Sequence, residues 1–363
     1  MVNKKYYIGV MSGTSADGID TVIVSFEKKL TIVGHAYKKF SNAFSQEIIS
    51  LNKPSPDEIV HSHIVGNKIA KYTAALINKM LVSVNLKSNQ IQAIGFHGCT
   101  IRHQPKNFMS IQLGNAHLLA KLTNIKVISD FRNGDIASKG QGAPLIPLFH
   151  KFLLEYSKKN NAIFLNLGGF ANITVINGKE IFGYDCGPGN IYLDYWIKKH
   201  KNQRFDDLGN WAQSGQTIKV LLQKFLNDPY FSKRGPKSIG RDYFNEKWLL
   251  QNKPARYPAQ NVQRTLAELT ADTCAKQINK YKLIKDLYIC GGGTQNQFLI
   301  DLIREKVVNK NIFFSTHLDI DPQLIEPAGF AWLAMQYIEN QKLNYQKITG
   351  SNKANIIGIA YPV

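Results

Sequence analysis

The chain has 363 residues, 44% hydrophobic and 20% charged, and its 45 Lys and Arg against 26 Asp and Glu give a net charge of +19. That length suits about two domains, the composition excludes a disordered chain, and no apolar run approaches the roughly 18 residues of a membrane span. The charge would suit a nucleic-acid binder, but the lysines fall in scattered pairs (Lys4-Lys5, Lys28-Lys29, Lys38-Lys39, Lys158-Lys159, Lys198-Lys199) with no arginine-rich arm and no aromatic-interleaved stripe. A solvated, lysine-rich surface without a nucleic-acid partner is expected.

The opening MVNKKYYIGVMSG carries two lysines but only a short apolar run before a glycine-rich turn, unlike a secretory signal, so a cytoplasmic protein is expected. Strands are predicted over 4–10, 19–26 and 30–37; alternation across IDTVIVSF (19–26) gives the second a better-buried face. Ser55-Pro56-Asp57-Glu58 then reads as a capped helix start, and Val65, Ile69, Tyr72, Leu76 and Met80 recur at helical spacing to about residue 83. Short apolar runs at 91–98, 125–131, 161–169 and 285–293 end in polar or glycine-rich turns, and a long helix is predicted over 258–281. Strands alternating with helices indicate α/β layers with mixed sheets. Strand-turn-strand units at 4–26 and 161–184 fit a duplicated architecture. Cys99, Cys186, Cys274 and Cys290 form no C-x-x-C pair and read as reduced, buried thiols.

Four turns carry the chemistry. GVMSGTSADGID (9–20) has the small-residue density of a phosphate loop but no lysine, and the segment after it is strand-like, so it fails as a Walker loop. It remains a hairpin tip, Ser12 to Gly18, whose amides and hydroxyls could meet phosphate oxygens and whose Asp17 could hold Mg²⁺; an ordinary polar hairpin is the competing reading. Similar turns follow predicted strands at Gly168-Gly169 with Asn172, at Asp185 to Asn190, and at Gly291 to Asn296. Several such turns converging would build a nucleotide cleft, because glycine lets a ligand lie against the backbone. GGGTQN lacks the third glycine of a dinucleotide fingerprint. Asp185, between a strand (181–184) and a helix (191–200), could act as a general base or could cap that helix.

GFHGCTIRHQP (95–105) supplies His97, Thr100, Arg102 and His103, and residues 128–147 supply Asp130, Arg132, Asp135 and Gln141, a polar density that suggests a hydroxyl-rich or acidic ligand. His61 and His63 lie in the predicted helix and point apart, which argues against a metal site there.

With GVMSGTSADGID, GFHGCTIRHQP, QLGN, SDFRNGD, GQGAPLIP, NLGGFANIT, DCGPGN, PKSIGRDYF, TLAELTA, GGGTQN and EPAGFAWLA in this order over nearly the whole chain, the sequence resembles the anhydro-N-acetylmuramic acid kinase family of the acetate/sugar kinase, Hsp70 and actin superfamily. The resemblance implies a two-domain actin-like sugar-kinase ATPase fold, each domain a mixed β-sheet flanked by helices, with ATP in the cleft. It implies lobes over 1–135 and 136–339, with 340–363 packing back on the first. The family phosphorylates 1,6-anhydro-N-acetylmuramic acid and opens its anhydro bridge with water, yielding N-acetylmuramic acid 6-phosphate and ADP in cell-wall recycling.

By that resemblance ATP would meet Ser12, Gly13, Thr14, Ser15, Ala16, Asp17, Gly18 and Ile19, then Gly168, Gly169 and Asn172, and on its adenosine side Gly291, Gly292, Gly293 and Asn296. Asp185 matches the catalytic aspartate, Asp17 is the candidate Mg²⁺ ligand, and the sugar would meet residues among His97, Gly98, Thr100, Asp130, Arg132, Gln141 and Glu326. Arg132 is the expected grip for the lactyl carboxylate. A homodimer is implied as well. Cys99, Cys186 and Lys139 depart from the family's usual glutamine, threonine and glycine. A kinase of the same superfamily acting on another sugar or small acid, and a basic scaffold with an inactive kinase fold, are the alternatives.

Overall fold

The computed structural model describes residues 4–13, 16–27, 29–233, 235, 237–240 and 243–363. The chain divides into two compact units, Met1–Tyr156 with Leu324–Val363, and Ser157–Gln323. In the first, β1 (Tyr6–Ser12), β2 (Gly18–Ser25) and β3 (Thr31–Lys39) form an antiparallel meander. On the other side of β1 lie β4 (Ile91–Gln104) and β6 (Val127–Ser129), both parallel to it, while β5 (Met109–Leu113) folds back on β4. The sheet closes with β12 (Ile359–Tyr361), giving the order β12-β6-β4-β1-β2-β3.

The second unit repeats this plan. An antiparallel meander of β7 (Asn161–Leu167), β8 (Phe170–Asn177) and β9 (Glu180–Pro188) is extended beyond β7 by the parallel strands β10 (Asp286–Cys290) and β11 (Asn311–Phe314), in the order β11-β10-β7-β8-β9. The central strands β1 and β7 are apolar on both faces, as strands covered on both sides must be: Tyr7, Ile8 and Val10, and Ala162 to Leu165 with Leu167, are all buried.

Helix seating explains several glycines. Gly9 and Gly95 sit side by side in the β1–β4 register, and a Cβ on either would overlap the carbonyl oxygen of Pro327 or Phe330. The helix Ile325–Ile338 therefore rests its backbone on a glycine floor, with Ala328, Ala331 and Ala334 buried, which accounts for the small residues of EPAGFAWLA. In the second unit the helix Ala259–Ile278 is buried nearly all round, including Gln263, Thr265, Thr270, Thr273 and Gln277; Thr265 and Thr273 return hydrogen bonds to the carbonyls of Asn261 and Leu269.

Several sequence expectations are corrected here. The strand expected over 91–98 continues to Gln104, because β5 pairs with it beyond the bend at Gly98 (φ +75°). The strand expected over 125–131 shrinks to 127–129, with the helix Phe131–Ile136 following. Ser55 does not cap the next helix, Glu58–Ser83; the Glu58 carboxylate instead accepts from the Ser55 N–H at 3.1 Å. The domain borders expected at 135/136 and 339/340 lie at 156/157 and 323/324, since the helix Ile325–Ile338 is seated on β1 and β4. Among the described residues no helix is long and apolar enough to cross a membrane.

Candidate active site

The β1–β2 hairpin of the first unit is tied down at both ends. Ser12 Oγ donates to the Gly18 carbonyl at 2.8 Å, and the N–H of Ala16, in the left-handed region at φ +52°, donates to the Gly13 carbonyl at 3.0 Å. The Asp17 carbonyl accepts from the Phe40 N–H at 2.9 Å and from the Tyr37 hydroxyl at 3.2 Å, and Ile19 anchors the return strand in the core. Thr14 and Ser15, expected among the phosphate donors, lie outside the described residues. Cys99, at the position that departs from the family pattern, is buried with its Sγ 3.5 Å from the Gly13 carbonyl, so it packs under this loop rather than lining the neighbouring cavity.

That cavity, about 270 Å³, is lined by His97, Gly98 and Asp130 together with Phe96, Ser110 and Tyr361, among others. The structure thus gathers three of the expected sugar residues; Thr100, Arg132, Gln141 and Glu326 are not in its wall. Arg132 donates from Nε to His97 Nε2 at 2.9 Å and from Nη1 to the Gly142 carbonyl at 2.8 Å. His97 must therefore carry its proton on Nδ1, which donates to the Gly98 carbonyl at 2.9 Å. Burial first, and the neighbouring Arg132 charge second, hold this imidazole neutral with its pKa well below the usual value. A two-pronged carboxylate grip through the Nε side of Arg132 would break the His97 bond, so in this geometry the guanidinium ties β4 to the Gly142 loop. Asp130, in the left-handed region, accepts from Asn133 at 2.6 Å, and burial raises its pKa. Gln141 is exposed, with its N–H on the Thr349 carbonyl; Lys139 is exposed at φ +66°. Glu326 lies half-buried in the first turn of Ile325–Ile338, whose N-cap is Leu324.

In the second unit three glycine-rich turns converge at the C-terminal end of β7. The Gly168 carbonyl accepts from the Asn190 N–H, and the Gly169 carbonyl from the N–H groups of Gly189 and Ile191, all at 2.9 to 3.1 Å. A Cβ on Gly189 would overlap the Gly168 carbonyl oxygen; one on Gly291, at φ +87°, or on Gly293 would press on the Leu167 carbonyl. Gly292 faces no atom within 4 Å of where its Cβ would stand. Asn296 uses its side chain to accept from the Leu299 N–H at 2.9 Å and cap the helix Gln297–Lys306, a role its glycine-rich context did not suggest.

Asp185 sits inside β9 rather than at its end, opposite Asn172 of β8, where a register shift interrupts the ladder. The helix Ile191–Lys201 has Asn190 at its N-cap position, without a side-chain cap hydrogen bond. The carboxylate is buried and its Oδ2 accepts from the Ile239 N–H at 2.8 Å. The backbone of Asp185 is held too: its N–H donates to the Lys237 carbonyl at 3.0 Å and its carbonyl accepts from the Tyr230 hydroxyl at 2.8 Å. Tyr230, Lys237 and Ile239 were assigned no role from the sequence, although PKSIGRDYF was among the matching motifs; a fixed glycine- and proline-flanked segment without periodicity was the available signal.

Among the described residues no three His, Cys, Asp or Glu side chains cluster into a protein cage, and Mg²⁺ needs only one or two carboxylates beside phosphate oxygens.

A family model described as anhydro-N-acetylmuramic acid kinase matches residues 5–363. The chain is 39% identical over 360 residues to an anhydro-N-acetylmuramic acid kinase of Pseudomonas fluorescens (strain Pf0-1), covering 98% of this chain and 99% of that one. The enzyme of the same name from Nitrosomonas europaea is 38% identical over 362 residues, with the same coverage. Among solved structures, the activator of the 2-hydroxyisocaproyl-CoA dehydratase from Clostridium difficile with bound ADPNP aligns over 92% of this chain and 96% of its own, at 12% identity and a TM-score of 0.48. The assignment rests on the full-length sequence relatives. The chain belongs to the anhydro-N-acetylmuramic acid kinase family.

Proposed function

We propose that this protein uses ATP to open 1,6-anhydro-N-acetylmuramic acid with water and to phosphorylate it, giving N-acetylmuramic acid 6-phosphate and ADP in peptidoglycan recycling and anhydro-amino-sugar catabolism. The observation that carries the reading is the buried Asp185 carboxylate on the strand that leads into the convergent glycine turns. Asp185 takes a proton from the water that attacks the anomeric carbon. The bond from that carbon to the bridging oxygen breaks, and the released oxygen at the six position attacks the γ-phosphoryl group, with ADP leaving.

The hairpin 12–19 and the turns at Gly168, Gly169 and Asn172 are the phosphate-binding residues of this reading, and Gly291, Gly292 and Gly293 its adenosine side. Amides fixed in advance by these turns stabilise developing charge without reorganising. Asp17 would hold Mg²⁺, directly or through water, and the ion would supply charge neutralisation on the phosphate tail. His97, Gly98 and Asp130 are the sugar residues best supported, because they wall one polar cavity, and Arg132 orients His97 from behind. A homodimer, as the family resemblance implies, in the cytoplasm, as the opening residues suggest, completes the reading; sedimentation of the purified protein tests the dimer.

A coupled ADP assay tests the activity. ADP release with the anhydro sugar, and none with plain N-acetylmuramic acid or glucosamine, is the expected result; equal turnover of an unrelated sugar would transfer the protein to another kinase activity.

A further inference from the structure

Asp185 lies on an outer strand, where its edge-facing backbone groups would otherwise look for partners. They find them in two residues far along the chain, the Lys237 carbonyl and the Tyr230 hydroxyl, while the carboxylate itself meets the Ile239 N–H. What keeps these two partners together is the Lys237 side chain. Its Nζ donates to the Tyr230 carbonyl at 3.1 Å and stands 4.1 Å from the centre of the Tyr230 ring, a close cation–π seat.

We infer that Lys237 is a positioning residue for Asp185: its ammonium, seated on Tyr230, pins the 237–239 segment so that the Ile239 N–H holds one oxygen of the carboxylate in place. The inference rests on the reading of Asp185 as the base. Removing the ammonium frees the segment without touching a group that meets water or sugar, so the loss falls on turnover and not on nucleotide affinity. A base displaced by about an ångström loses up to about a hundredfold in rate.

The charge on Lys237 is itself conditional. Burial lowers its pKa to about 8, with Lys276 and Lys280 pushing the same way and Cys186 and Asp185 of β9 opposing. The ammonium is complete below that pH and is lost as the pH rises through it, so its seat on Tyr230 weakens on the alkaline side.

The test is the pH profile of kcat for the full-length enzyme and two variants, with ADP release on the anhydro sugar as readout. Wild type is expected to hold a plateau to about pH 7, to fall to about half at pH 8 and to stand about tenfold lower at pH 9, following the protonated fraction of such a group. Lys237→Met is expected to lose about 10- to 100-fold in kcat at pH 7 with KM for ATP near wild type, and to show no further fall between pH 8 and 9. Lys237→Arg, which keeps its charge throughout, is expected to retain activity at pH 7 and to carry the plateau past pH 9. A folded Lys237→Met within about twofold of wild type, a slow Lys237→Met that keeps the alkaline fall, or a Lys237→Arg that falls as wild type does would each overturn the inference; should the methionine variant not fold, the arginine profile decides. Asp185→Asn run beside them separates the two ideas: if it is inactive, those outcomes overturn the role of Lys237 alone, and if it is active, the reading of Asp185 falls and this inference with it.

Discussion

The outer strands of the two meanders, β3 and β9, hold the same place in the same strand order and have opposite surroundings. β3 is half-buried to exposed along its length and ends in Lys38-Lys39, with His35 and Asp20 paired at its surface 3.4 Å apart. β9 is buried from Gly183 to Pro188, with the all-round buried helix Ala259–Ile278 against it and Tyr230 and Lys237 closing its edge at Asp185. Strand order alone therefore does not decide whether a carboxylate is buried and held. What distinguishes β9 is the cover laid over it, which takes a carboxylate out of bulk water and fixes its direction.

The strongest break of this contrast is Asp185→Asn. Turnover is expected to drop about a thousandfold while ATP binding, measured by calorimetry, is retained; equal loss of a surface carboxylate variant such as Asp20→Asn would erase the distinction between the strands. Next in size, Gly9→Val forces side-chain atoms into the Pro327 carbonyl and is expected to destabilise the protein by about 3 kcal/mol in urea unfolding. Gly292→Ala, which meets nothing within 4 Å, leaves the urea midpoint where it is.

A third effect sharpens the comparison through pH. Burial holds His150 of the first unit at about 3, whereas an unfolded histidine takes a proton below about pH 6.5. The folded-state pKa is depressed, so across the window from 6.5 down to 3 the unfolded state binds more protons and stability falls with falling pH. Between pH 7 and 5 this histidine contributes a loss of about 2 kcal/mol, which His150→Gln is expected to remove from the difference between urea midpoints at the two pH values. An unchanged difference would mean that His150 is protonated in the folded protein. A smaller loss belongs to Asn296→Ala, about 1 kcal/mol for the lost cap of Gln297–Lys306, with Asn296→Asp close to wild type.

Much of this was legible because the signals were local. The glycine turns marked the hairpins of both units; the alternation of IDTVIVSF suggested one better-buried face where β2 is buried on both, and Asp185, expected at a strand end, lies inside β9. Its supports were not legible: Ile239 reaches it across 54 residues from a segment with no helical or strand period. The length of β4 was missed for a similar reason, since its second half exists only by pairing with the five residues of β5. The domain borders were misjudged because the glycine floor at Gly9 and Gly95 reads as ordinary strand until the helix it seats, more than 200 residues later, is in place. The bond from Arg132 Nε to the neutral, buried His97 was likewise not legible, since it joins residues 35 positions apart.

The central claim is that Asp185 activates water against the anomeric carbon in the same event that transfers phosphate. The most direct measurement is mass analysis of the product made from the anhydro sugar and ATP in oxygen-18 water. One heavy oxygen at the anomeric position of the phosphorylated sugar, with none in the phosphate, is the result predicted; a phosphorylated product that still contains the anhydro bridge, or heavy oxygen found only in released inorganic phosphate, would contradict it.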